Sequence, residues 1–227
     1  MTDDILQEIV LRTNEKIRKN AASYSEKNKY KVKDTTIQEL SAFFGLLYLA
    51  GFYRSGRQNL DDLWATYDTG VMKFRKTMPL YRFRFLLASL RFDDSQTRPE
   101  RQKFDKLAAI RTIFDQFTSQ CKIVYSPSEY LTIDEQLQSF RGRCLFRQYI
   151  PNKPSKYGIK IFALVDAKCF YTVNEEVYVG SQPAGPFKQS NSSEEIVIRL
   201  IEPISKTGRN ITFDNWFTSY PLMARLL

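Results

Sequence analysis

The chain has no histidine among its 227 residues. That absence removes the Ser-His and Cys-His pairs on which nucleophilic hydrolases depend. Cysteine is scarce as well: Cys121, Cys144 and Cys169 are odd in number and widely spaced. They fit neither a zinc module nor a disulfide framework, and they suit a reducing compartment. The longest apolar run, Ala42 to Tyr53, falls short of the roughly 20 residues that span a bilayer. Met1 to Asp4 are acidic and no apolar segment follows, which argues against a secretory signal. A soluble, intracellular chain with no membrane partner is the expectation, and carboxylates with metal are what remain for chemistry.

Acidic side chains are missing from one long stretch. Gln136 to Val165 holds none in thirty residues, yet carries Arg141, Arg143, Arg147, Lys153, Lys156 and Lys160. The whole chain has a formal charge of +9, which suits a polyanionic partner because it attracts phosphates and releases their counterions on contact. Most of that excess lies in the N-terminal half: residues 1–128 carry 22 basic and 15 acidic groups, and 129–227 carry 12 and 10. A composition of 43% hydrophobic and 14% aromatic residues is that of a folded globular chain rather than a disordered one.

Apolar periodicity predicts a mainly helical first half. A helix over 3–19 follows a Thr2 cap, with Leu6, Ile9, Val10, Thr13 and Ile17 on one face. Ser23 to Lys33 reads as a lysine-rich loop. Thr36 and Glu39 have capping-box spacing and open a helix burying Ile37, Leu40, Phe43, Phe44, Leu47 and Tyr48. Pro79 opens another, with Leu80, Phe83, Leu86, Leu87 and Leu90 inward and Arg82, Arg84 and Arg91 at its margins. A long third helix is expected from Pro99 to Cys121.

The pattern changes after Ser126-Pro127, where the domain boundary is placed: 1–128 helical, 129–227 mixed. Tyr130 to Phe140, Gly158 to Val165, Phe170 to Val179 and Asn210 to Phe213 read as strands. A helix starts at Ser193-Glu194-Glu195 and is stopped by Pro203, and Ser219 caps a last one. The class is α+β or α/β, with the order β-β-β-α-β-α. That order matches an incomplete RNase H-like mixed sheet, in which the first and fourth strands lie side by side and parallel.

Two of those strands lead into aspartates, Asp134 after Leu131-Thr132-Ile133 and Asp214 after Ile211-Thr212-Phe213. Each has an ordinary reading, Asp134 as a strand-end or bulge acid satisfied by backbone amides and Asp214 as a turn or helix-capping residue. Each also follows an apolar residue, so its carboxylate is expected at an interior edge where an unpaired charge is costly and a divalent ion would remove the cost. An acid pair beside a cationic tract suits metal-assisted chemistry at a nucleic-acid phosphodiester. The cations, in turn, either coat a hairpin or grip DNA phosphates, with Tyr149 and Tyr157 available to stack on displaced bases. Asp166 reads as a turn residue. Trp216 and Phe217 either cover the site or pack in the core.

The blocks Leu131 to Lys160 (LTIDEQLQSFRGRCLFRQYIPNKPSKYGIK) and Gly208 to Leu222 (GRNITFDNWFTSYPL) resemble the signature blocks of piggyBac transposases and their transposable-element-derived relatives. Ala42 to Leu47, Phe83 to Leu87, Leu90 to Asp94 and Asp105 to Arg111 resemble the segment preceding the catalytic domain there, so the likeness spans most of the chain. It implies a helical dimerisation and DNA-binding region, with a homodimer as one arrangement, and the first part of a DDE/DDD-type catalytic domain. Asp134 and Asp214 would be the first two catalytic acids of a two-Mg²⁺ site, Asp134 bridging both ions and Asp214 helping to hold one. The ancestral activity it implies is cut-and-paste transposition at TTAA, with DNA as partner, no small-molecule substrate and a nuclear location. Lys27 to Lys33 is too interrupted to serve as an import signal. The family's third acid lies downstream of the second block, and this sequence ends thirteen residues after Asp214. A chain that does not transpose DNA by itself is therefore expected, with a non-enzymatic DNA-binding protein or a gene fragment as the alternatives.

Overall fold

The computed structural model describes residues 2–21, 24, 32–56, 58–67 and 70–227. Most of the lysine-rich stretch Ser23 to Lys33, including most of Lys27 to Lys33, lies outside these residues. Contacts group the chain into two units, Met1–Asp94 and Ser95–Leu227.

In the first unit, α1 (Asp3–Ala21) has Asp3 and Asp4 in its first turn and Arg18 and Lys19 in its last, matching the helix dipole. Ile5, Leu6, Ile9 and Ile17 form its buried face. The next helix, α2 (Ile37–Phe52), is capped by Thr36, whose hydroxyl accepts the Glu39 N–H at 3.2 Å. The Glu39 carboxylate pairs instead with Arg82 of α5 (Leu80–Ser89), at 2.7 Å from Nε, and accepts Thr35 Oγ1 at 2.8 Å. Arg82 also donates to the carbonyls of Lys33 and Asp34 at 2.9 and 3.2 Å and is only 3% exposed.

The margin expected for Arg82 is thus corrected to a core position. Periodicity sorts residues by polarity and cannot see a guanidinium whose donors are met inside. Leu47, Tyr48 and Leu87, expected inside, are exposed. Two short helices that periodicity does not reveal, α3 (Leu60–Trp64) and α4 (Met72–Thr77), complete this core. The Trp64 ring lies 4.8 Å from both Phe74 and Phe83, and its Nε1 donates to the Met78 carbonyl at 2.7 Å.

In the second unit, the helix expected from Pro99 to Cys121 is broken in two, α6 (Arg98–Gln102) and α7 (Arg111–Val124). The break belongs to Asp105, buried to 2% exposure. Its carboxylate accepts the Leu107 N–H at 2.9 Å, Arg111 at 2.8 and 2.9 Å and Gln182 at 2.7 Å. Local bonding of a side chain to the backbone competes with helix continuation. Burial alone would push this carboxyl up, but the donors outweigh it and hold it below the usual carboxylate range.

The sheet comprises β1 (Tyr130–Ser139), β2 (Gln148–Tyr149), β3 (Tyr157–Asp166), β4 (Thr172–Val177) and β5 (Asn210–Phe213). β3 runs antiparallel to β1 on one side and to β2 and β4 on the other. β1 pairs in parallel with β5. α8 (Ser193–Ile201) precedes a 3-10 turn over Glu202–Ile204 that contains Pro203, and α9 (Tyr220–Leu226) is capped by Ser219. The expected order of the four main strands and two helices is present, with the two-residue β2 added. Leu131, Ile133, Phe162 and Leu164 face Ile196, Val197, Leu200, Phe217 and Leu222 to form the core. The change from helix to strand falls after Pro127, whereas the contact units part at Asp94 because α7 packs on β4.

Candidate metal centre and its basic hairpin

The parallel β1–β5 ladder ends with Ile133 opposite Phe213, so Asp134 and Asp214 occupy the next register position. Neighbouring strands lie about 4.8 Å apart, and eighty residues of sequence separation are closed by one strand pairing. Side chains alternate across a strand. Leu131 and Ile133 are therefore in the core, and Thr132 and Asp134 are on the opposite face. That face is an open groove of about 400 Å³ bordered by Thr132, Asp134, Gln136, Ala163 and Val165.

The interior edge expected for the two acids is corrected: both are exposed. Each gives one oxygen to a local amide, Asp134 Oδ1 to Glu135 N at 2.7 Å and Asp214 Oδ1 to Trp216 N at 3.0 Å. The strand-end role expected for Asp134 is corrected, since it lies within β1, whereas Asp214 sits in the turn after β5; the second oxygen of each accepts no hydrogen bond among the described residues. Hard oxygen donors side by side suit a divalent cation such as Mg²⁺. Among the described residues no group of three or more His, Cys, Asp or Glu is placed to hold a metal ion.

Asp166 is not a third ligand. It lies on the core face opposite Leu131, three ladder pairs from Asp134, and is fully buried. Ser128 donates to it from its amide at 2.5 Å and its hydroxyl at 2.9 Å, Lys168 N at 2.8 Å and Tyr125 Oη at 3.0 Å. The Ser128 amide leads these donors in holding the carboxyl well below its ordinary value. The Tyr125 hydroxyl, bonded to Cys169 and Asp166, is pushed up.

The six expected cations divide into two sets. Arg141, Arg143, Arg147 and Lys156 are exposed along the hairpin between β1 and β3. Arg147 lies over the Tyr157 ring at 5.4 Å and donates to the carbonyls of Arg141 and Gly142, while Tyr149 and Tyr157 pack at 4.8 Å. At the hairpin base Gly158 is required, since a Cβ there would stand 2.3 Å from the Gln138 carbonyl oxygen.

Lys153 and Lys160 turn inward. Lys160 Nζ is enclosed by Phe162 at 4.6 Å, Trp216 at 5.0 Å and Tyr178 at 5.9 Å. Lys153 Nζ pairs with Glu135 Oε1 at 2.9 Å and donates to the Glu135 carbonyl at 3.2 Å. That bond leads in raising the Lys153 pKa, and the charges of Glu135, Asp134 and Asp214 add to it. Phe217 is core, while half-exposed Trp216 stacks on Phe162. Neither Glu135 as a partner of Lys153 nor the ring box around Lys160 is foreseeable from the sequence, because both join residues from different strands or turns.

A parallel strand pair thus brings two exposed acids to adjacent register positions, and an exposed basic hairpin follows β1. The family model described as Transposase IS4 matches residues 1–227. The chain belongs to this transposase family, in its piggyBac-type branch, and is a transposase-derived protein. A solved piggyBac transposase, a cryo-EM synaptic complex with hairpin DNA, is 41% identical with a TM-score of 0.88 over 100% of this chain and 46% of its own. The human PiggyBac transposable element-derived protein 3 is 24% identical over 195 residues, 84% of this chain and 32% of its own length. The human Chimeric ERCC6-PGBD3 protein is likewise 24% identical, with 18% of its length covered. The chain thus spans about a third or less of these curated relatives. Among the described residues no helix is long and apolar enough to cross a membrane.

Proposed function

We propose that Asp134 and Asp214 are two carboxylate ligands of a Mg²⁺ site that serves strand cleavage and transfer on DNA, carried by an RNase H-like sheet. The observation that carries this reading is the parallel β1–β5 register, which brings Asp134, within β1, and Asp214, just past the end of β5, to adjacent positions. The antiparallel β1–β3–β4 arrangement with β5 joined to β1 is the order such a sheet requires. Asp134 and Asp214 would be the residues that hold such ions, each with the carboxylate oxygen not bonded to a local amide. When bound, divalent ions would activate the attacking oxygen and stabilise the leaving one. The protein's own part is positional: Arg141, Arg143, Arg147 and Lys156 hold the phosphate backbone along the hairpin, and Tyr149 and Tyr157 offer stacking surfaces.

DNA as partner is supported by this basic hairpin and by the DNA in the solved relative. A nuclear location follows from that substrate, and the helical unit is where dimerisation would be sought. With two carboxylates assembled among the described residues, the chain by itself is expected to bind DNA without cutting it. That is the place at which a DNA-binding role without catalysis competes with the enzymatic one. The test is divalent-ion binding. Mn²⁺ or Mg²⁺ should raise the melting temperature of the wild-type chain, and Asp134→Asn and Asp214→Asn should each abolish the rise. An equal rise in all three proteins would place the ion elsewhere and sink the reading.

A further inference from the structure

Lys153 departs from the other hairpin cations. Arg141, Arg143 and Lys156 are exposed with no ion-pair partner among the described residues, but the Lys153 ammonium is folded back onto Glu135, the residue next to Asp134. It is anchored twice, to the carboxylate at 2.9 Å and to the backbone carbonyl of the same residue at 3.2 Å. Its side chain is 32% exposed and that of Glu135 19%, so the pair is partly withdrawn from water. There a charge interaction is screened less than on an open surface. The negative charges of Asp134 and Asp214 also act on the same ammonium. A cation is thus held on the carbonyl and carboxylate of the residue that follows Asp134, eighteen residues along the chain from it.

We propose that Lys153 is the resident counter-cation of the acid cluster, a positioning residue that competes with a divalent ion for the charge of Asp134 and Asp214 and so sets how tightly the ion is held. This rests on the metal-site reading above. Two like charges facing one set of carboxylates repel, so ion binding and the inward Lys153 are linked: whatever favours one disfavours the other. In the absence of a divalent ion the ammonium keeps neighbouring carboxylates from repelling one another. When the ion enters, the Lys153 side chain is driven outward. It then stands on the same hairpin as the phosphate-holding cations, so occupancy of the metal site adds one cation to that surface.

The experiment is a calorimetric titration of the full 227-residue chain with Mn²⁺, comparing wild type, Lys153→Met, Lys153→Arg and Asp134→Asn. Lys153→Met should bind Mn²⁺ at least threefold more tightly than wild type, and Lys153→Arg, which keeps the charge, should match wild type. If Lys153 is only a structural prop or a phosphate ligand, Lys153→Met and wild type will share one affinity, and the inference is overturned. If no protein binds Mn²⁺, or Asp134→Asn binds as well as wild type, the metal-site reading itself has failed. A second readout needs no variant: amine acetylation of the wild-type chain, followed by mass spectrometry. Modification of Lys153 should rise at least twofold on saturation with Mn²⁺ while exposed Lys156 stays constant. An unchanged Lys153 at saturation would also overturn the proposal, even if Lys153→Met does not fold.

Discussion

The Asp166 carboxylate accepts hydrogen bonds from Ser128, Tyr125 and Lys168, and that of Asp105 from Leu107, Arg111 and Gln182. About 10 Å along a β-ladder from Asp166, by the ordinary rise per residue, the Asp134 carboxylate accepts, among the described residues, only the amide of its neighbour, and the Asp214 carboxylate only that of Trp216. The first two acids are buried and the second two exposed. A buried carboxylate must be saturated from within because water cannot reach it. Saturation consumes the lone pairs a metal would need. The exposed pair keeps on each side chain an oxygen that accepts no hydrogen bond among the described residues, and the β1–β5 register brings the two residues to adjacent positions. Acids that hold the architecture together are thereby separated from acids that stay open to solvent.

The largest expected effects lie at the saturated acids. Asp105→Ala leaves the Arg111 charge and the Gln182 donor partly buried without a partner. The cost of breaking such a pair is about 3–5 kcal/mol, read as a lowered urea midpoint. Asp166→Asn should lower the midpoint too, since the Ser128 amide and hydroxyl and the Lys168 amide lose a charged acceptor. Asp134→Asn and Asp214→Asn should stay within about 0.5 kcal/mol of wild type, as surface changes do. A comparable loss at either of them would erase the distinction between the two pairs.

Acid titration sharpens it further. Asp105, Asp166 and Glu39 are held below their ordinary values, so their stabilisation is complete above the unfolded values of about 4 and is lost as pH falls through the folded ones. Burial pushes Asp115 and Glu175 up, which gives the opposite sign: stability gains as pH falls from neutrality through their folded values toward about 4. The urea midpoint should therefore rise slightly on mild acidification and fall below about pH 4. Glu175→Gln should flatten the rise and Asp166→Asn the fall. A profile that declines steadily from pH 7 would contradict both signs.

The sequence made β5 and the sheet order legible because each strand is bounded by its own turn chemistry: Gly208 before β5, Pro127 before β1, Pro203 after α8. The pairing of Asp134 with Asp214 came from strand order and family likeness together. What patterning could not reach were long-range polar contacts. Arg82 looks like a rim residue until Glu39, forty-three positions away, is seen beside it. Asp105 looks helical until it binds Leu107, Arg111 and Gln182. The exposure of Asp134 and Asp214 escapes patterning for a related reason. A preceding core residue fixes which face of the strand is buried, and alternation then turns the acid to the other face.

The smallest expected effects concern the hairpin, where the same contrast between satisfied and free groups applies to cations. Each cation that neutralises a DNA phosphate contributes about 0.9 to the slope of log K against log salt. Arg141→Ala, Arg143→Ala and Lys156→Ala should each reduce the slope measured on duplex DNA by about one, because no acid among the described residues pairs with their charge. Lys160→Met should leave the slope unchanged, since its ammonium is enclosed by Phe162, Trp216 and Tyr178. That enclosure is worth about 0.5–2 kcal/mol per cation–ring contact, depending on desolvation, so the variant should lose stability while keeping its salt response. If Lys160→Met flattened the slope as much as Arg143→Ala, the ring box would have to open on DNA, and Trp216, half-exposed beside Asp214, would be the ring that moves.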